Sequence, residues 1–128
     1  MGKELEICVE PLANNQLTNL IFSVIAISKK LKILKSGINE VIKNIRKGKV
    51  KLVILSADCD PIGIILNIPL ICEDKVRNYS KQIKYVFVPS KGALGRACGL
   101  SRSVAACAIL LNNFQIINNS LEYIENWV

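Results

Sequence analysis

The chain has 128 residues, of which 51% are hydrophobic, and its formal net charge is +7. This length suits one domain with a buried core and is short for two, so we expect a single domain over residues 1–128. No apolar run approaches the roughly 20 residues that a bilayer span needs, and residues 1–10 carry acids where a secretory signal is basic and apolar. We therefore expect a soluble intracellular protein with no membrane-spanning segment.

Cysteine and histidine content gives no support to metal or redox chemistry. The five cysteines are odd in number and none has the Cys-x-x-Cys spacing, so we predict reduced packing residues. The chain has no histidine, which leaves a Ser or Cys nucleophile without its usual base and gives no support to a zinc site. No cofactor and no metal are expected.

The positive charge is concentrated in one part of the sequence. Residues 29–51 contain nine Lys or Arg and a single acid, Glu40, so the rest of the chain is close to neutral. A concentrated basic stretch indicates a polyanionic partner, either a nucleic acid or an anionic membrane surface. A chain that used charge only for solubility would not need to gather it in one place.

The first predicted element is an amphipathic helix over residues 15–30. It follows a weakly patterned lead-in that contains Pro11, and lysines near its end complement the helix dipole. Its apolar positions recur at helical spacing: Leu17, Leu20, Ile21, Val24, Ile27 and Leu31.

Residues 35–51 predict a second, short helix, with Ser36 as a candidate cap and Gly48 as a candidate stop. One face is apolar and holds Ile38, Val41, Ile42 and Ile45. The opposite face is polar and holds Asn39, Glu40, Lys43 and Arg46. An amide, a carboxylate and a cation are groups that read base edges and bind phosphates, and an uncovered first helical turn suits the same ligands. The alternative is an ordinary amphipathic helix whose charged face is only solvated.

The remaining chain alternates strands and helices. Strands are predicted at residues 52–55, 85–88 and 106–111, the first of them buried on both faces. Further helices are predicted from Pro61 to a break at Pro69, with Asp60 as cap, and then over residues 70–82, 90–99 and 113–128. The last helix is expected to bury Phe114, Ile117, Leu121, Ile124 and Trp127. This alternation predicts an α/β fold: a three-layer α/β/α sandwich with a central mixed sheet.

One pair of acids raises an enzymatic alternative. Asp58 and Asp60 follow the buried strand, as the nucleophile and the acid do in aspartyl-phosphate phosphatases, and Ser90 with Lys91 could supply later elements. No second pair of carboxylates follows a later strand, and capping explains Asp60 without catalysis.

Five ordered blocks together resemble the kink-turn RNA-binding ribosomal-protein superfamily. They are GINEVIK (37–43), SADCDP (56–61), IPLICEDK (68–75), YVFVPSK (85–91) and LGRACG (94–99). Within it, Asn39 and the last block most resemble the branch shared by the spliceosomal tri-snRNP and the box C/D snoRNPs. A ribosomal or H/ACA snoRNP relative is the alternative within the superfamily.

The resemblance implies a non-enzymatic scaffold for an RNA bulge in which tandem sheared G·A pairs bend the backbone. It implies that Gly37, Asn39, Glu40 and Lys43 lie at the G·A guanines, that Lys35 and Lys91 lie near phosphates, and that Asp60 and Ile64 lie by a flipped-out nucleotide. The loop over the bulge would be Leu100, Ser101, Arg102, Ser103, Val104 and Ala105.

The sequence departs from the family pattern at three of these positions and in one length. Asp60 stands where a longer Glu is usual, Ser103 where Pro is usual, and Ala105 where a larger apolar residue is usual. The segment 76–84 is several residues longer than in relatives.

The same resemblance implies the partners and the location. The partners are a structured RNA with a kink-turn and a Nop-domain-type assembly protein that binds the composite protein–RNA surface, and no membrane is involved. Outside the particle the protein would be monomeric. Its location would be the nucleus and nucleolus.

Overall fold

A computed structural model describes residues 11–74 and 82–128. Five α-helices, one 3-10 helix and four strands lie in these ranges. In chain order they are α1 (Asn15–Lys30), β1 (Leu34–Ser36), α2 (Ile38–Arg46), β2 (Val50–Ser56), a 3-10 helix (Ile62–Ile65), α3 (Asn67–Glu73), β3 (Lys84–Val88), α4 (Lys91–Ala97), β4 (Ala106–Leu110) and α5 (Gln115–Trp127).

The four strands form one mixed sheet in the order β1-β4-β2-β3. β4 runs antiparallel to both of its neighbours, β1 and β2, whereas β2 and β3 are parallel. Consequently β1, β2 and β3 all point the same way, and their carboxyl ends meet the start of β4 at one end of the sheet.

Helices cover both faces of this sheet. On one face α1, α4 and α5 bury a core that includes Ile21, Leu94 and Leu121. On the other face α2, α3 and the 3-10 helix bury a second core that includes Ile45 and Ile68. The predicted α/β/α sandwich with a mixed sheet is therefore confirmed.

Most predicted elements are found within one or two residues of their expected bounds. The helix over residues 15–30 is confirmed, although Ile27 in its predicted stripe is 43% exposed. The strands predicted at 52–55, 85–88 and 106–111 correspond to β2, β3 and β4, and β2 is buried as a central strand should be.

The segment after β2 differs from the prediction. Asp60 does not cap a helix, because the Asp60–Pro61 peptide bond is cis and Pro61 itself is the extended residue that precedes the 3-10 helix. Pro69 does not break a helix, because it is the third residue of α3, where its missing N–H is not needed. The helix predicted over residues 70–82 ends at Glu73, and residues 75–81 lie outside the described ranges.

The closing helix buries fewer side chains than its pattern predicts. Ile117, Leu121 and Ile124 are buried, but Phe114 is 43% exposed and Trp127 is 41% exposed. Phe114 is the residue that precedes α5, so its side chain is not aligned with the buried stripe of the helix. No helix in the described part of the chain combines the length and the apolar character that crossing a bilayer requires.

Four cysteines are reduced and buried, as predicted: Cys59, Cys72, Cys98 and Cys107. A hydrogen bond between the thiols of Cys98 and Cys107 lowers the pKa of Cys98 to about 7 and raises the pKa of Cys107. Cys8 lies outside the described residues.

Gly95 is the position where α4 approaches another segment most closely. A Cβ atom added there would lie 2.0 Å from the carbonyl oxygen of Arg102, in the loop that leads into β4. This contact is too short for any side chain, so the loop and the helix can pack in this way only with glycine at residue 95.

We predict that Gly95→Ala destabilises the protein by about 1–3 kcal/mol, the usual cost of overpacking a buried site. Gly92→Ala in the same helix is the matched control, because its Cβ would make ordinary contacts at 3.7 Å with Ser90 Oγ and Arg96 Nη1. Denaturant unfolding measures both variants. Equal stabilities for the two variants would contradict the close approach of α4 and the loop.

Candidate functional site

The polar residues singled out in the sequence come together at one end of the sheet. Register pairing aligns Ser36 of β1 with Cys107 of β4, and Ser56 of β2 with Val88 of β3. The segments that follow β1, β2 and β3, and the loop that precedes β4, therefore emerge side by side. We refer to this end of the sheet as the carboxyl end.

Backbone hydrogen bonds tie these segments to one another. The N–H of Gly37 donates to the carbonyl oxygen of Ala106 at 2.8 Å. Ser56 donates twice to the carbonyl oxygen of Ala105, from its N–H at 2.9 Å and from its hydroxyl at 3.2 Å. The start of β4 thus holds both the entry to α2 and the end of β2 in place.

The entry to α2 depends on Gly37. This residue has φ +103°, a backbone conformation that residues with a side chain rarely adopt, and it precedes the first helical residue. A Cβ added at Gly37 would meet no heavy atom of the described residues within 4 Å, so the position faces open space. The prediction of Ser36 as the cap is wrong, because Ser36 belongs to β1, and none of the described side chains caps this helix.

The exposed face of α2 presents the predicted polar groups. Asn39, Glu40 and Lys43 are exposed, whereas Val41 and Ile45 are buried against the sheet. The first-turn N–H groups of the helix have no intrahelical acceptor, so they can donate to an anionic or polar ligand at the carboxyl end. Lys35 lies half-buried in β1, next to this entry.

Asp58 fastens the start of α4 to the end of β2. Its carboxylate accepts a hydrogen bond at 2.8 Å from the backbone N–H of Lys91, and the hydroxyl of Ser90 accepts one from the N–H of Ala93. The sequence drew attention to Asp58 only as a candidate nucleophile. Its contact instead positions Lys91, a role that the sequence could not reveal because 33 residues separate the partners.

No activated nucleophile or metal site accompanies Asp58 in the described residues. Burial raises the pKa of the neighbouring Cys59 thiol, Lys91 opposes that shift, and Asp58 and Asp60 add to it, so the thiol stays protonated at neutral pH. Across residues 11–74 and 82–128, no cluster of three Cys, Asp or Glu side chains could hold a metal ion.

Asp60 and Ile64 both follow β2, with the cis peptide between them: Asp60 precedes this bond and Ile64 follows it. Asp60 is exposed, and Ile64 is 49% exposed on the 3-10 helix although its neighbour Ile65 is fully buried. Four residues after Asp60, Ile64 thus offers an exposed apolar surface for a ligand.

The loop over residues 100–105 is fixed at both ends. The N–H of Leu100 donates to the carbonyl oxygen of Gly95 at 2.9 Å, and the N–H of Val104 donates to the carbonyl oxygen of Lys91 at 3.1 Å. Ser101, Arg102 and Ser103 are exposed, and Leu100 and Ala105 are half-buried. Val104 is only 2% exposed and packs in the core, so its side chain supports the loop from inside, and an RNA contact by this residue stays a prediction.

The basic stretch is not a single patch in the structure. Lys35 and Lys43 lie towards the carboxyl end, but Lys29 donates to the carbonyl oxygen of Cys98 at 2.8 Å and Lys51 pairs with Glu125 at 3.6 Å. The remaining cations lie near the turns that follow α1 and α2, towards the other end of the sheet. Neighbouring positions in the sequence are separated because α2 runs from one end of the sheet to the other.

Comparison with known proteins identifies the family. The model for the ribosomal protein L7Ae/L30e/S12e/Gadd45 family matches residues 20–117, which include every element from α2 to β4. The chain belongs to this family. It has the family's mixed sheet between two helical layers, and the matched residues contain the whole carboxyl end.

Individual relatives of this family cover almost the entire chain. A 13 kDa ribonucleoprotein-associated protein from Candida albicans is 44% identical over 91% of this chain and 87% of its own length. The NHP2-like protein 1 of Xenopus laevis is 38% identical over 90% and 85%. The solved structure of a Giardia lamblia 15.5kD RNA binding protein superposes with a TM-score of 0.82 at 37% identity, covering 94% of this chain and 93% of that one.

We predict that Gly37→Ala destabilises the protein by about 1–3 kcal/mol, because alanine is strained at φ +103° although space is available for its methyl group. Gly63→Ala is the matched control, since Gly63 also faces open space in the described residues but has no positive φ. Thermal unfolding compares the two variants. A Gly37→Ala protein as stable as the control would show that the helix does not begin as described.

Proposed function

We propose that this protein is a non-enzymatic RNA-binding scaffold that recognises and stabilises a kink-turn. The observation that carries the proposal is the carboxyl end of the sheet. It joins the uncapped first turn of α2, the exposed Asn39, Glu40 and Lys43, and a fixed loop with Arg102 at its centre. Donors, an acceptor and cations within one rigid frame are the groups that read guanine edges and hold a bent phosphate backbone.

The comparisons support RNA as the partner. The Giardia protein with the same fold is named as RNA binding, and the fungal relatives are named as ribonucleoprotein-associated. The contact of Asp58 also favours binding over catalysis, because its carboxylate accepts the hydrogen bond that holds the backbone of Lys91.

The finer proposal concerns the particle. We infer that the RNA is a spliceosomal snRNA or a box C/D snoRNA, that the protein is monomeric outside the particle, and that it acts in the nucleus and nucleolus. There it would nucleate assembly for splicing and for rRNA processing, and offer a composite surface to a Nop-domain-type protein. Sequencing of the RNA that copurifies with the protein distinguishes this branch from a ribosomal or H/ACA role.

Affinity for a kink-turn RNA should fall with salt concentration. Each phosphate neutralised by a cation lowers log affinity by about 0.7–0.9 for each unit of log salt. Binding is measured by fluorescence anisotropy across a series of salt concentrations. An affinity that does not change with salt would contradict phosphate binding.

Substitution of Glu40 distinguishes base recognition from general charge attraction. Glu40 is the only acid between Glu10 and Asp58, so Coulombic attraction alone predicts that Glu40→Ala binds RNA more tightly. If the carboxylate accepts guanine N–H donors, its loss leaves them unpaired and should cost about 1–3 kcal/mol of affinity for a kink-turn. We expect the second result, with affinity for a plain duplex unchanged or increased.

Lys43→Ala is the companion variant on the same face of α2. If Lys43 contacts only the phosphate backbone, its loss should weaken kink-turn and duplex binding alike. Both variants are measured on both RNAs at one salt concentration. Tighter kink-turn binding by Glu40→Ala would rule out base recognition by Glu40.

A further inference from the structure

The end of the sheet opposite the carboxyl end carries a second group of cations. The turn after α1 and the turn after α2 both lie there, one on each side of β4. The N–H of Leu110 donates to the carbonyl oxygen of Ile33, and the N–H of Leu111 donates to the carbonyl oxygen of Lys49, both at 2.8 Å. Because neighbouring strands lie about 4.8 Å apart, the two turns are about 10 Å apart.

Five exposed cations lie in or beside these turns, and we refer to them as the basic end: Lys30, Lys32, Arg46, Lys47 and Lys49. No acid occurs in residues 29–39 or 41–57. Glu125 of α5 comes close to this region, but its carboxylate is paired with Lys51. The positive charge of the basic end is therefore not compensated within its own turns.

Lys32 stands at a position that normally favours glycine. Both α1 and α2 end with the same pair of hydrogen bonds and a residue of positive φ. In α2 that residue is Gly48, with φ 70°, whereas in α1 it is Lys32, with φ 63°. Its N–H donates to the carbonyl oxygen of Lys29 at 3.1 Å, as the N–H of Gly48 donates to that of Ile45 at 2.9 Å. A lysine is thus held in a strained conformation that glycine adopts freely, which points to a use for its charge.

The exposed face of α2 connects the basic end with the proposed RNA site. Asn39, Lys43 and Lys47 follow one another at helical spacing, from the first turn to the end of the helix. Nine residues span about 14 Å, which equals about five base-pair steps of an A-form RNA stem at roughly 2.8 Å each. A stem that leaves the site along this face would reach the basic end within half a helical turn of RNA.

We propose that the basic end binds the phosphate backbone of an RNA stem that extends beyond the kink-turn held at the carboxyl end. This inference rests on the proposed function and adds a second contact surface to it. The charge is spread over two turns on either side of β4, which suits a run of phosphates and not a single small anion. Base recognition is not expected there, because the deep, narrow major groove of an A-form RNA stem is closed to side chains.

The test compares kink-turn RNAs that differ only in stem length. Each stem is lengthened in turn from about three to about nine base pairs, so that only the longer form spans the roughly five steps to the basic end. Lys32→Gly should lower affinity for one long-stem RNA about five- to eightfold at 0.1 M salt, the effect of one lost phosphate contact, and leave the short-stem affinity unchanged. Its melting temperature should equal or exceed that of the parent, because glycine relieves the strain at this position.

Three further variants act as controls in the same assay. Lys32→Arg keeps the charge and should keep the long-stem affinity. Lys49→Ala, in the other turn, should lower the long-stem affinity as much as Lys32→Gly does. Lys51→Ala removes the same formal charge nearby, but its ammonium already faces Glu125, so it should show no dependence on stem length.

Two results would overturn the proposal. One is an equal decrease in affinity for short-stem and long-stem RNAs with Lys32→Gly, which would show only a general charge effect. The other is an unchanged affinity of Lys32→Gly for both long-stem RNAs. Failure of the proposed function itself looks different: the parent protein would then bind a kink-turn no better than a duplex, whatever the stem length.

Discussion

The arrangement of the site depends on β4 running antiparallel between β1 and β2. Its first residues present carbonyl oxygens to both sides, and Gly37 and Ser56 bind the successive carbonyls of Ala106 and Ala105. Without these bonds the entry to α2 and the end of β2 would be joined only through long stretches of chain. The same strand also receives the loop that crosses the carboxyl end, so one element positions three parts of the site.

Support and recognition are divided between different residues. Gly95, Val104 and Asp58 hold the frame by close packing, burial and a carboxylate hydrogen bond. Asn39, Glu40 and the exposed centre of the loop are left for a ligand. A frame fixed before binding lowers the cost in conformational entropy of association, which suits the proposed role as a scaffold for a bent RNA.

The sequence predicted the elements with strong periodicity or continuous burial, such as α1, β2 and the apolar stripe of α5. It did not predict β1, because three half-buried residues carry neither an alternating pattern nor a length that suggests a strand. The cis bond before Pro61 and the continuation of α3 through Pro69 were missed because proline suits both a turn and a first helical turn.

The residues of the candidate site could be named from family blocks, but their spatial arrangement could not. Positions 58, 91 and 104 meet only through hydrogen bonds between distant segments, and strand register places position 35 on the strand beside β4. For the basic stretch, residues 29–51, the sequence wrongly predicted that neighbouring positions stay together in space. Its lysines are close in sequence, yet α2 carries them from one end of the sheet to the other, and a count of charges contains no information on that separation.

Hydrogen–deuterium exchange of the backbone amides tests the central claim most directly, because it locates the RNA surface without any substitution. The protein is compared alone, with a short-stem kink-turn RNA, and with a duplex of matched length. The account predicts that the kink-turn slows exchange in the first turn of α2 and in the loop over residues 100–105, whereas the duplex does so weakly or not at all. Protection that is absent from both segments, or that is the same with duplex and kink-turn, would contradict it.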